Sequence, residues 1–341
     1  MESHPMKNLR HQYIERHTGR VLNERLYGDK VVNLLYSEAR ESSRRLFKSL
    51  TSARMSSFLG FVSYDLLLGA AIMGSRRFLG SCGIDWSECL DGPEKFKNLR
   101  DVFERKIRYR ECRPMPEEPH AIVAPADSRM IMGSLAETSG LFLKGKFFDF
   151  EELLGIDKKE WLGAFEDGDF AVFRLTPDKY HYNHTPVSGT VRDLYEIPGH
   201  YHSCNPGAVV TVATPYSKNK RVVTIIDTDV PGGSGVGLVA MIEVVALMIG
   251  DIVQCYSEKG YEAPRPVRSG MFMKKGLPKS LYRPGSSTDV LLFEKGRIRF
   301  AEDLIKNMYL PGVENRFSSG FGKPLVETEV AVRSLIGFFR E

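Results

Sequence analysis

The run Arg113-Pro114-Met115-Pro116-Glu117-Glu118-Pro119 constrains the fold of this chain more than any other stretch. Each proline fixes φ and removes a backbone donor, so neither a helix nor an interior strand can run through it. The two sides also differ in pattern. Upstream, residues 28–110 carry helix-compatible apolar spacing, as in 31–36 and 58–79, with little strand-like alternation. Downstream come short β-branched and aromatic runs separated by turn residues, at 120–124, 169–175, 207–213, 222–227, 290–293 and 296–300. Residues 235–252 are apolar enough for a buried strand pair or a helix. The expectation is an α+β protein. A helical N-terminal region, 1–112, precedes a β-rich body of sandwich-like antiparallel sheets, 113–341.

Charge and cysteine content narrow the setting. The formal net charge of +4 is too small to argue for nucleic acid, which needs a concentrated basic face. The five cysteines, Cys82, Cys89, Cys112, Cys204 and Cys255, include no CxxC pair, which speaks against a disulfide framework or a structural zinc. Residues 1–20 lack the apolar core of a signal peptide, and no run of 18 uncharged apolar residues occurs. A cytoplasmic protein with peripheral membrane association is expected. The apolar stretch 58–68, followed by Arg76 and Arg77, is either an interfacial helix or a helix packed on the main body.

Conventional sites are weak. There is no GxxxxGK[ST] phosphate loop, and the glycine cluster 232–237 opens no strand–turn–helix unit. His181 and His184 are spaced to approach a metal, but spacing names no third ligand, and no metal is expected. Asp127, the two histidines and the pair Ser286-Ser287 supply a carboxylate, an imidazole and a hydroxyl in separate segments. Those are the parts of an activated nucleophile, in which the acid orients the imidazole and the imidazole takes the hydroxyl proton. Taken alone, each is as readily a turn, cap or strand-end residue.

Several blocks in order resemble the phosphatidylserine decarboxylase family. Ala124-Pro125-Ala126-Asp127 is similar to its PAD block. Residues 175–189, with Tyr180-His181 and His184-Thr185-Pro186-Val187-Ser188-Gly189, are similar to its L-x-P-x-x-Y-H-x-x-H-x-P-V-x-G block. Tyr195-Glu196-Ile197-Pro198-Gly199, Asn205-Pro206 and Asn219-Lys220-Arg221-Val222-Val223 follow, then Gly285-Ser286-Ser287-Thr288 before Leu291-Leu292-Phe293. The likeness runs from about residue 27 to 337. Departures include Ser128 where a glycine is common, and Val245 and Asp251 in place of a glycine and a serine.

The resemblance implies a pyruvoyl-dependent carboxy-lyase that converts phosphatidylserine to phosphatidylethanolamine and CO2 through a Schiff base. The protein makes the pyruvoyl group itself: a serine hydroxyl attacks the preceding carbonyl, the resulting ester is eliminated, and hydrolysis leaves the ketoacyl cap. On the family's positions, His184 held by Asp127 is the base, and His181 serves the decarboxylation step. Gly285-Ser286 reproduces the familiar Gly-Ser bond, whereas counting six residues back from Phe293 selects Ser287. Either cut leaves a heterodimer of a β chain, about 1–286, and an α chain, about 287–341, with a dimer of these as a further expectation. Two other readings stay open. One is a related decarboxylase of a soluble aromatic amino acid. The other is an uncleaved, non-catalytic homologue acting as a binding protein.

Overall fold

The strand Ser287–Phe293 is buried along its whole length and lies between Leu238–Val245 and Asp169–Leu175, antiparallel to both. Its near-continuous apolar run, Val290-Leu291-Leu292-Phe293, marks a strand covered on both faces. In the computed structural model the described residues are 10–24, 26, 80, 83–136, 147–211, 214–246, 251–284 and 287–340. They build a ten-stranded sheet around that strand. In spatial order its strands are Phe272–Met273, Gly189–Ile197, Arg221–Asp227, Leu238–Val245, Ser287–Phe293, Asp169–Leu175, Ser128–Ser134, Glu327–Val330, Gln12–Glu15 and Arg20–Asn23. Every pairing in it is antiparallel except Gln12–Glu15 with Glu327–Val330.

Two three-stranded sheets complete the body. Ile252–Gln254, Pro278–Tyr282 and Tyr182–His184 form one, and Ile298–Phe300, Leu335–Phe339 and Ala121–Val123 the other. The β-rich α+β expectation is met. Among the described residues no helix is long and apolar enough to cross a membrane.

Some local expectations need correction. Residues 207–213 read as a strand because of Val209-Val210-Thr211, but Pro206–Thr211 is a helix. Asn205 accepts the Gly207 N–H through Oδ1 at 2.8 Å, and Pro206 follows with its φ preset, so start signals override β propensity. Within 235–252, Leu238–Val245 is a strand and residues 247–250 lie outside the described residues. The N-terminal region is not wholly helical: Gln12–Glu15 and Arg20–Asn23 form a hairpin that extends the main sheet. Short helices do occur at Leu99–Phe103 and Tyr109–Cys112. Residues 27–79, including the apolar stretch 58–68, lie outside the described residues.

A buried ionic cluster ties the hairpin to the body. Arg174 Nη2 lies 2.6 Å from both Glu24 Oε2 and Glu327 Oε2, and Arg129 Nη1 lies 2.5 Å from Glu24. His11 Nε2 adds a bond to Glu327 at 2.6 Å. Two guanidiniums balance two carboxylates, so this group of His11, Glu24 and Glu327 is a charge-neutral clamp rather than a cation site.

Candidate active site

The large sheet and the sheet carrying His184 face each other across a buried polar layer. Side chains alternate along a strand, so Ser287 and Asp289 share one face. Glu243 is registered opposite Asp289. Its carboxylate accepts from Lys279 Nζ at 2.6 Å, Gln254 Nε2 at 2.9 Å, Asn183 Nδ2 at 3.1 Å and the Ser280 hydroxyl. Those four residues come from all three strands of the small sheet. Ser287 therefore points into the layer between the sheets.

Ser287 Oγ is buried and has no hydrogen-bond partner among the described residues. Leu175, registered opposite Ser287, packs with Phe103, Ala126 and Tyr282. Phe103 in turn stacks on the His181 ring at a centroid distance of 3.5 Å. His181 is fully buried, and neither ring nitrogen has a hydrogen-bond partner among the described residues. Burial, reinforced by the Arg105 charge, lowers its pKa to about 3 and leaves the ring neutral. Serine and histidine thus border the same apolar cluster, each with unused polar atoms. Ser286 and Gly285 lie outside the described residues.

His184 is held differently. Asn183 turns its side chain to Glu243, while His184 packs among Tyr109 and Tyr180. Nδ1 lies 2.9 Å from the Gly276 carbonyl oxygen, which can only accept, so Nδ1 carries the ring proton. Nε2 therefore accepts from the Tyr180 hydroxyl at 3.0 Å, and Tyr180 meets Tyr261 at 2.6 Å. Gly276 presents that carbonyl from φ +75°, and a Cβ there would collide with Met115. Burial lowers the His184 pKa to about 3.

Asp127 faces an open cleft of about 550 Å³, with Arg16, Arg113, Lys179 and Glu329 among its walls. Its carboxylate accepts from Arg113 Nη2 at 2.8 Å and Nε at 2.9 Å, and from the Val332 N–H at 2.7 Å. Burial would raise its pKa, but the Arg113 charge and hydrogen bonds outweigh that and hold it below the usual carboxylate range. The expected Asp127–His184 hydrogen bond is not made. Arg113 occupies the acid, and Gly276 and Tyr180 occupy the imidazole. Asp127 still acts on the ring through space, its charge favouring the protonated form.

Sequence reasoning missed Arg113, Tyr261, Glu243, Lys279 and Asp289. Only Arg113 had a visible context, as the first residue of the proline-rich segment.

Comparison with known proteins bears out the family resemblance. A family model for phosphatidylserine decarboxylase matches residues 99–309. The phosphatidylserine decarboxylase proenzyme of Fusobacterium nucleatum is 29% identical over 297 residues, covering 87% of this chain and 91% of that protein. The proenzyme of Saccharophagus degradans is 32% identical over 239 residues, covering 67% and 80%. That of Ruminiclostridium cellulolyticum is 29% identical over 286 residues, covering 83% and 87%.

Proposed function

The chain belongs to the phosphatidylserine decarboxylase family, and we propose from its site that it converts phosphatidylserine to phosphatidylethanolamine and CO2 with a pyruvoyl group cut from its own backbone. The observation that carries this reading is the buried Ser287 Oγ, without a hydrogen-bond partner among the described residues, facing the layer that His181 also borders. A buried hydroxyl without a partner costs stability, so a place in the chemistry accounts for its presence.

In the proposed cut, Ser287 Oγ bonds to the carbonyl carbon of residue 286 as the peptide C–N bond breaks, leaving an ester and a free amine on residue 287. Loss of the residue 287 Cα proton with scission of the Cβ–O bond then frees residue 286 as a carboxylate, and water converts the remaining dehydroalanine to the ketoacyl cap and ammonia. The serine proton passes to His184, which is neutral and therefore able to accept it, and from there to the departing nitrogen of residue 287. Tyr180 occupies Nε2, and His184 lies on the opposite strand face from Asn183, so this step requires that hydrogen bond to open and the segment carrying His184 to turn toward residue 287. Asp127 favours the imidazolium by its charge.

The surroundings of residue 287 fit a pyruvoyl group, since they are enclosed and His181, whose ring nitrogens accept no side-chain partner among the described residues, stacks on the cluster beside it. When present, such a group supplies an electrophilic carbonyl that condenses with an amine and draws electrons from the bond to the departing CO2. His181 then orients or relays a proton beside it.

The cut would leave chains 1–286 and 287–341. The second begins with a strand hydrogen-bonded on both sides by the first, which favours a stable two-chain product. The lipid substrate calls for peripheral contact with a membrane surface.

Mass analysis of purified protein tests the reading. The expected result is two fragments, the smaller beginning at residue 287 and blocked to Edman degradation, together with CO2 release from phosphatidylserine vesicles. A single intact chain in active protein, or a fragment beginning at residue 286, would overturn the assignment of Ser287.

A further inference from the structure

Asp289 has an unexplained place in the layer. It is fully buried, two residues beyond Ser287 on the same strand face and directly across from Glu243. Oδ1 accepts from the Tyr282 hydroxyl at 2.7 Å, while Oδ2 has no partner among the described residues. Two carboxyl groups registered across a buried strand pair cannot both be ionised without a counter-charge for each. Glu243 has one: Lys279 Nζ lies 2.6 Å away and, like Glu243, is entirely shielded from solvent. The remaining donors to Glu243, namely Ser280, Asn183 and Gln254, also favour its ionised form.

Asp289 has no cation of its own among these contacts. The Tyr282 hydroxyl has one proton and two acceptors within reach, Asp289 Oδ1 and the Thr288 carbonyl oxygen at 3.0 Å. With that proton on the shorter bond to Oδ1, the proton of a neutral Asp289 belongs on Oδ2. That places a free O–H donor in the layer into which Ser287 points. Burial first, and the Glu243 charge second, push the Asp289 carboxyl well above its ordinary range, in agreement with the contact geometry.

We propose that Asp289 is a protonated carboxyl whose Oδ2–H is a hydrogen-bond donor toward residue 287, where it stabilises negative charge that develops on oxygen during the reaction. The inference rests on the reading that residue 287 is the reacting position. Glu243 and Lys279 are positioning residues for it: their ion pair engages the ammonium among these contacts and leaves Asp289 neutral. A preorganised donor in a water-poor site stabilises charge without reorganising as the reaction proceeds.

Two measurements test this. In uncut Ser287→Ala protein at neutral pH, difference infrared spectroscopy against the Asp289→Asn derivative of the same protein is expected to reveal the C=O stretch of a protonated carboxylic acid. An ionised-carboxylate difference instead would overturn the proposal, and this readout needs no activity. In the otherwise native chain, Asp289→Val is expected to lower the self-cleavage rate and kcat by about 100- to 1,000-fold with KM little changed. Asp289→Asn keeps a neutral donor and is expected to recover at least tenfold of that loss. Asn and Val variants that are equally impaired would also overturn it. If Ser287→Ala protein still cuts itself, the assignment of residue 287 has failed instead, and the infrared result still decides the state of Asp289.

Discussion

Arg113 grips Asp127 with two nitrogens, Nη2 to Oδ2 at 2.8 Å and Nε to Oδ1 at 2.9 Å, at the wall of the open cleft. The same guanidinium reaches Glu88 at 2.9 Å through both of its Nη atoms, so one cation serves two acids. Replacing Arg113 with Met leaves a buried carboxylate without its counter-charge. The expected cost is roughly 3 kcal/mol of folding stability at neutral pH. Asp127 has a depressed pKa, so its contribution is present above the unfolded value of 3.8 and fades as pH falls below it. The deficit of the Met variant should therefore shrink in acid. Urea unfolding at pH 7 and at pH 3 checks both statements.

Glu243 and Lys279 form an ion pair wholly removed from solvent. Lys279→Met alone leaves Glu243 buried and uncompensated, and should cost about 3–5 kcal/mol. Glu243→Leu combined with Lys279→Met removes both charges, and most of that loss should return. A double-mutant cycle in urea separates the pair's coupling from the cost of stranding one charge. A double variant as unstable as Lys279→Met would show that the remaining polar partners, rather than the charge, set the cost.

The sequence showed where reactive residue types sit, but not which way they turn. Asp169–Leu175 forms the strand its β-branched and aromatic pattern predicts, and Ser287 falls at the head of a fully buried strand. The blocks around Asp127, His181, His184 and Ser287 likewise mark segments that meet near the interface of two sheets. The hydrogen-bond partners of these residues were illegible. A histidine's partner depends on which carbonyl a left-handed glycine presents, here Gly276. A carboxylate's partner depends on a cation fourteen positions upstream, on the near side of a proline-rich segment. Asp289 read as an ordinary strand residue because its significance comes from Glu243 across the sheet.

Burial sets the acid response of the fold. His181 and His184 are both fully enclosed, with pKa values lowered to about 3. Each binds a proton in the unfolded chain near its ordinary 6.5 but not in the folded one until about pH 3. The unfolded state therefore gains protons first as pH falls, and stability declines across that window. Each histidine should contribute a slope of up to about 1.4 kcal/mol per pH unit between these limits. Unfolding free energies measured from pH 7 to pH 4 check this. Replacing His181 with Phe, which keeps an aromatic ring against Phe103, should flatten the curve by one histidine's share.

The two histidines should fail in different ways. His184 is tied to Tyr180 and Gly276, away from the polar layer, and its proposed task is to take the serine proton during the cut. His181 stacks on Phe103 beside the cluster that includes Leu175, the residue registered opposite Ser287, and neither nitrogen bonds to a side chain among the described residues. His184→Gln is expected to accumulate uncut chain, slowing self-cleavage by about 100-fold or more, because a glutamine amide is not a base. His181→Gln should cut at close to the native rate, since the ring bonds to nothing the cut requires, yet lose about 100- to 10,000-fold in decarboxylation. Gel analysis of freshly made protein reads the first defect, and CO2 release from vesicles by the fully cut fraction reads the second. A His181→Gln chain that stays intact, or a His184→Gln chain that cuts normally, would exchange the two assignments. The layer facing Ser287 would then hold the base for the cut itself.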